Sequence, residues 1–218
     1  MTTPKSLKIG IFGGSFNPPT TAHGALTQYA YERLGVDQIW WLVAPHNPLK
    51  DKKDLAPFAD RLAMAEIVAR QYAPWLKISD LEQHFGTQQT ADTLDRIMEK
   101  YPEHQFVWLM GTDNLTHFHS WDRWDEMARK VPIYIFARPG EIETALNSPA
   151  SIAMGAPVRV TPDVSQLKSG QWMLLSNPEM NVAATKIRQA IVSGYKPDHI
   201  LPDVLTYIQD NGLYHRQD

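Results

Sequence analysis

The segment Gly10-Ile11-Phe12-Gly13-Gly14-Ser15-Phe16-Asn17-Pro18-Pro19-Thr20-Thr21-Ala22-His23 concentrates the chemistry of this chain. An apolar run leads into a glycine-rich loop and then a helical pattern. Glycines let backbone N–H groups approach an anion, and the helix start beyond adds its partial positive charge, so the segment is expected to cradle phosphate. It is neither of the two commonest phosphate loops, because no two glycines lie two apart and no Gly is followed five later by Gly-Lys. Taken one at a time, Gly13-Gly14 also reads as a plain tight turn and His23 as a surface histidine. Their meeting on one loop favours the phosphate site.

A second cationic element lies near the C-terminus. Lys186 and Arg188 fall at the start of an expected helix, where the dipole prefers acids, yet no Asp or Glu occurs from Met180 to Pro197. An external anion would resolve that mismatch; two solvated cations are the alternative. Asp113 sits just past a strand ending at Met110, where it would face a ligand or cap a helix before Leu115. His117 and His119 lack a nearby third ligand at metal spacing and read as solvent-exposed. Asp122, Asp125 and Glu126 read as a solvated helix start, and Trp124 as core.

Short apolar runs alternate with helical periodicity. Strands are expected at 7–12, 38–44, 76–79, 106–110, 133–136 and 172–176, and helices near 21–34, 58–72, 90–100 and 124–130. Strands joined by helical crossovers predict an α/β fold, a doubly wound parallel sheet with helices on both faces and its ligand beyond the carboxyl ends of the strands. Residues 141–178, with Pro149, Pro157, Pro162 and Pro178, read as irregular apart from the last strand. Two helices, 184–193 and 203–211, form a helical C-terminal part, with Pro202 at a helix start and Gly212 at a stop. We expect one domain of 218 residues, a core to about 178 and a C-terminal part from about 179 that completes the phosphate site.

Composition narrows the function. With 43% hydrophobic and 21% charged residues the chain is globular, and no apolar run reaches membrane-spanning length. The formal charge of −3 leaves no global basic excess for a nucleic-acid backbone, and the absence of cysteine excludes disulfides, thiolate metal sites and a cysteine nucleophile. No signal-peptide pattern opens the chain, so a cytoplasmic location is expected. Positive charge is local: residues 180–197 carry three cations and no acid.

The loop and the following Thr20-Thr21-Ala22-His23 resemble the nucleotidyltransferase superfamily with a Gly-Gly-Ser/Thr-Phe-Asp/Asn-Pro loop and a (His/Thr)-x-Gly-His motif, Ala22 standing for the usual Gly. Further matches resemble bacterial nicotinate-nucleotide adenylyltransferases. They are Pro45-His46-Asn47-Pro48-Leu49-Lys50, Thr90-Ala91-Asp92-Thr93-Leu94, Gly111-Thr112-Asp113 with Trp121, Ala137-Arg138-Pro139-Gly140, and Thr185-Lys186-Ile187-Arg188. Two more departures are Gln89 where Tyr is frequent and Ala183 where Ser is expected.

The resemblance implies a Rossmann-like fold and transfer of AMP from ATP to nicotinate mononucleotide, with Mg²⁺ held mainly by ATP phosphates and water. His23, Thr20, Lys50 and Arg188 would be catalytic. Gly13, Gly14, Ser15, Phe16, His23, Gly111, Asp113, Thr185 and Arg188 would bind ATP. Ser15, Asn17, Lys50, Thr90, Trp121 and Arg138 would bind the mononucleotide, with Trp121 stacked on the pyridine and Thr90 receiving its carboxylate. A monomer or homodimer is expected, with no nucleic-acid or membrane partner. The rivals are a superfamily enzyme acting on nicotinamide mononucleotide or phosphopantetheine, and a weakened nucleotide-sensing protein.

Overall fold

Strands such as Ile9–Phe12, Trp40–Val43 and Phe106–Met110 are apolar on both faces, the pattern of a sheet covered on both sides. A computed structural model describes residues 5–45, 55–158, 167–178 and 182–214 and shows how that pattern is met. Six parallel strands, β1 (Lys8–Gly14), β2 (Gln38–Val43), β3 (Leu76–Ser79), β4 (Gln105–Gly111), β5 (Ile133–Phe136) and β6 (Trp172–Leu175), lie in the order β3-β2-β1-β4-β5-β6. The chain leaves β1 toward β2 and leaves β4 toward β5, so the direction of winding reverses between the adjacent strands β1 and β4. That reversal opens a crevice beyond their carboxyl ends.

Side chains divide between the faces by the period of two along each strand. Phe12, Trp41, Val107 and Leu109 pack with α1 (Thr21–Arg33), α2 (Phe58–Ala69) and, near the C-terminus, α10 (Pro202–Asp210). Ile9, Ile11, Trp108 and Met110 pack with α4 (Thr90–Lys100), α5 (Thr112–His117) and α6 (Trp124–Lys130). Gly10 belongs to the packing of the first face, with Phe12 and Leu109, rather than to the loop: a Cβ there would lie 3.1 Å from Leu109 Cδ1 and 3.3 Å from Ile39 Cγ1.

Four short helices depart from the expected pattern: α3 (Leu81–Phe85), α5, α7 (Ile142–Leu146) and α8 (Pro149–Met154). None exceeds two turns, too short for a 3.6-residue period to declare itself. The stretch expected to be irregular therefore contains α7 and α8. Pro149, read as a breaker, is the first residue of α8, and Ser148 caps it by accepting the Ser151 N–H. The remaining helix, α9 (Ala184–Val192), has Ala183 at its cap position and no side-chain cap.

Candidate active site

A cleft of about 1410 Å³ lies at the β1/β4 reversal. It is larger than the roughly 300–1,000 Å³ usual for one drug-sized ligand. Every residue given a catalytic or binding role above borders it except Lys50, which lies outside the described residues. Lys186 is exposed and is not among the lining residues.

The floor is the glycine-rich loop. A Cβ on Gly13 would press on the Trp108 ring at 3.0 Å, and one on Gly14 on the Phe16 ring at 3.2 Å, so the backbone passes between two aromatic rings with no room for side chains. Phe16 takes a left-handed backbone (φ 46°) and sinks its ring into the core, stacked on Trp41 at 4.5 Å. It is 2% exposed. Its side chain thus anchors the loop, and only its backbone is offered to a ligand.

Thr20 caps α1, and His23 completes a reciprocal capping box. The Thr20 backbone N–H donates to His23 Nδ1 at 3.0 Å, and Thr20 Oγ1 lies 2.8 Å from the same nitrogen. An amide can only donate, so Nδ1 is an acceptor and the neutral ring carries its proton on Nε2. A single N–H donor is thereby oriented at the helix start beside the loop. His23 is also held by the rings of Phe16 (5.2 Å) and Trp41 (6.0 Å).

Behind the loop sits Arg61, which the sequence reading missed. It is fully buried, and it donates to four carbonyls: Ala56 O (3.0 Å), Ser15 O (2.8 Å), Ala44 O (2.6 Å) and Pro45 O (2.7 Å). Its place on the apolar stripe of α2, with Met64, Ala65 and Val68, was the available signal. Asn17 is a second joint. Its Oδ1 accepts from Ala56 N–H (3.0 Å) and the Tyr214 hydroxyl (2.6 Å), while its carbonyl accepts from Arg188 Nη1 (2.8 Å). Arg188 also reaches Thr185 Oγ1 at 3.4 Å. C-terminal residues thus bind the glycine-rich loop directly.

Glu82, likewise missed, is buried and borders the cleft. Burial pushes its carboxyl up to about 7, with the Arg61 charge pulling the other way. Burial lowers the Arg61 pKa, opposed by Tyr214 and Glu82, and raises that of the Tyr214 phenol, opposed by Arg188 and Arg61.

Beyond β4, a Cβ on Gly111 would collide with Asp113 Oδ1, so glycine is what lets that carboxylate fold over the strand end. Arg138 Nε lies 3.3 Å from Asp113 Oδ1 without hydrogen-bond alignment, and that oxygen is otherwise unbonded. Gly111, not Asp113, occupies the cap position of α5. Arg138, expected to bind the mononucleotide, stands in this Asp113 corner and borders the cleft.

At the other end, α4 begins at Thr90 with no side-chain cap from Gln89, leaving its first N–H groups turned outward beside the cleft. Trp121 is half-buried, edge-on to Phe118 (5.3 Å) and Trp108 (6.4 Å). Trp124 packs on Phe118 at 5.6 Å, in keeping with its reading as core. His117 and His119 are exposed. Glu126, expected to be merely solvated, is bound by Arg123.

Among the described residues no group of three or more His, Cys, Asp or Glu could hold a metal ion. Near the cleft, Asp113 and Glu141 are engaged with Arg138 and Thr112. No helix among the described residues is long and apolar enough to cross a membrane.

A strand, glycine loop and histidine-bearing helix at the reversal of a 3-2-1-4-5-6 sheet define a class of nucleotide-handling proteins. The chain belongs to the cytidylyltransferase-like family, whose model matches residues 11–190. It is 42% identical over 185 residues to a protein of Bradyrhizobium sp. (84% of this chain, 95% of that one) and 39% identical over 188 residues to one of Rhizobium johnstonii (84% and 93%). Both are named "Probable nicotinate-nucleotide adenylyltransferase". Within the family the chain is thus one of the nicotinate-nucleotide adenylyltransferases. The fold matches a solved Plasmodium falciparum nicotinic acid mononucleotide adenylyltransferase complexed with NaAD, with a TM-score of 0.73 at 20% identity over 95% of this chain and 97% of that one.

Proposed function

We propose that the cleft transfers AMP from ATP to nicotinate mononucleotide. A phosphate oxygen of the mononucleotide attacks the α-phosphorus in line, the bond from α-phosphorus to the bridging oxygen breaks, and pyrophosphate leaves with the electron pair. No protein nucleophile is needed, so catalysis is positioning and charge stabilisation. The observation that carries this reading is the Thr20–His23 box, which presents one oriented donor where glycines admit a phosphate chain.

His23 Nε2–H would donate to α-phosphoryl oxygens as charge develops there, assisted by Thr20 and the amides around Ser15. Gly13, Gly14 and the Phe16 backbone would border the triphosphate, and Thr185 and Arg188 would close on it. Lys50 would add a cation. Gly111 and Asp113 would take the adenosine ribose. Arg138, beside Asp113, would bind the mononucleotide from that corner. Trp121 would stack on the pyridine, with Thr90 and the start of α4 receiving its carboxylate and Asn17 holding the loop between. Mg²⁺ bound to ATP phosphates and water would neutralise the pyrophosphate leaving group. We also take the chain as a single nucleotidyltransferase domain acting in the cytoplasm, since α10 shares the core of β1 and β2.

Purified protein with ATP, Mg²⁺ and nicotinate mononucleotide, nicotinamide mononucleotide or phosphopantetheine in turn, assayed for pyrophosphate, tests this. Turnover is expected with the nicotinate compound first. None with it, or a clear preference for another acceptor, overturns the reading.

A further inference from the structure

The pyridine end contains a charge cluster that the transfer reaction leaves unexplained. Arg123 Nη1 donates to Asp92 at 2.6 Å, Nη2 to Asp95 and Glu126 at 2.7 Å each, and Nε to Glu126 at 3.1 Å. Lys130 also contacts Asp95 and Glu126. Three carboxylates thus converge on two cations. Arg123 achieves this from a left-handed backbone (φ 50°, ψ 30°) at the start of α6, a conformation that residues with a side chain rarely adopt. An outlier of this kind is a reason to look for function.

The two ends of the cluster point at one place. Asp92 stands in the first turn of α4, two residues after Thr90, or about 3 Å along the helix axis. Arg123 follows Trp121 by two residues, and both Thr90 and Trp121 border the cleft. The guanidinium therefore joins the two walls between which the pyridine would lie. Electrostatics give it a second task. A helix N-terminus attracts an anion, but an acid in its first turn already satisfies that field and would repel a substrate carboxylate. Bound to Arg123, Asp92 no longer presents an uncompensated charge. For Asp95, burial opposes ionisation, yet hydrogen bonds from Lys130 and Arg123 outweigh it and hold its carboxyl below the usual aspartate range. The hydrogen bond from Arg123 lowers the Glu126 carboxyl as well, so a cation is what offsets these acids.

We propose that Arg123 is a positioning and specificity residue: by compensating Asp92, Asp95 and Glu126 and tying α4 to the Trp121 segment, it keeps the start of α4 receptive to a carboxylate and so favours the acid over the amide mononucleotide. This rests on the adenylyl-transfer reading above. Repulsion acts only on a charged pyridine substituent, which separates it from general damage to the site.

The test is steady-state kinetics of the full chain with both mononucleotides, the amide serving as competitive inhibitor where its turnover is slow. Arg123→Ala is expected to raise KM for the acid about tenfold and the constant for the amide less than about twofold, with KM for ATP unmoved. The acid-specific loss should shrink at high salt, because the cluster is partly exposed. Arg123→Lys, which keeps the charge without the fork, should recover part of the preference. Adding Asp92→Asn to Arg123→Ala should recover it further by removing the uncompensated acid. Equal losses on acid and amide, a matching change for ATP, or no recovery with Asp92→Asn overturns the proposal. A wild-type protein inactive on the acid would instead overturn the reading beneath it, before any variant is made.

Discussion

The two ends of the cleft are held by arginines used in opposite ways. At the glycine-loop end Arg61 is wholly buried and spends its guanidinium on four backbone carbonyls, joining Ser15 to Ala44, Pro45 and Ala56. At the end marked by Thr90 and Trp121, where the pyridine is proposed to lie, Arg123 is a third exposed and binds only carboxylates. Carbonyls cannot move without moving the chain, so the first arrangement fixes geometry. Carboxylates in contact with water can be screened and exchanged, so the second sets a field. A triphosphate needs donors at fixed distances, whereas choosing between an acid and an amide needs only a difference in potential. The contrast predicts that Arg61 governs folding and Arg123 selectivity.

Removing Arg61 should have the largest effect. Arg61→Ala leaves four buried carbonyls without their donor, a loss of roughly 3–5 kcal/mol in unfolding free energy. Urea denaturation measures it, and a variant within about 1 kcal/mol of wild type would break the comparison at its strong end. His23→Ala comes next and acts on rate, lowering kcat by roughly 10² to 10³ as one oriented donor is lost. Near wild-type kcat would mean that the Nε2–H does not meet the transferring group.

Glu82 sharpens the contrast through pH. Its carboxyl is raised from the ordinary 4.5 to about 7, so between those values the folded state holds a proton that the unfolded chain has released. Stability from this group is complete below about pH 4.5 and is lost as pH climbs through 7. Glu82→Gln should therefore gain on wild type as pH rises from 5 to 8, by roughly 1–3 kcal/mol at the upper end. Thermal melts across that range report it, and a constant difference would place the carboxyl in water. Tyr214→Phe is smaller: Asn17 Oδ1 keeps the Ala56 N–H, so loss of the phenol hydrogen bond should cost about 1 kcal/mol.

The same contrast explains what could be read in advance. β3, α4, α6 and β5 run over the expected residues, because apolar runs and helical periods are local signals. The glycine-rich loop is local too: glycines, a capping threonine and its histidine lie within a few residues of one another. What escaped is nonlocal. Arg123 meets Asp92 and Asp95 across 31 and 28 residues of chain, and its neighbours looked like a solvated helix start. The nearness of Arg138 to Asp113, 25 residues away in the chain, is likewise something only folding brings about. Arg61 was legible in principle, as a charge on an apolar stripe, but its partners are carbonyls, which no side-chain pattern announces.

The smallest effect is the most discriminating. Exposed ion pairs contribute little to stability, since water and salt screen them and ordering long side chains costs entropy. Arg123→Ala should accordingly melt close to wild type while Arg61→Ala does not, although Arg123 makes as many hydrogen bonds. Differential scanning calorimetry of the two variants side by side reads this directly. A melting loss for Arg123→Ala comparable to that of Arg61→Ala would make the cluster a structural clamp, and any change in selectivity would then follow from a loosened α4 rather than from its charge. An unmoved melting temperature with altered acid preference leaves the field as the cause.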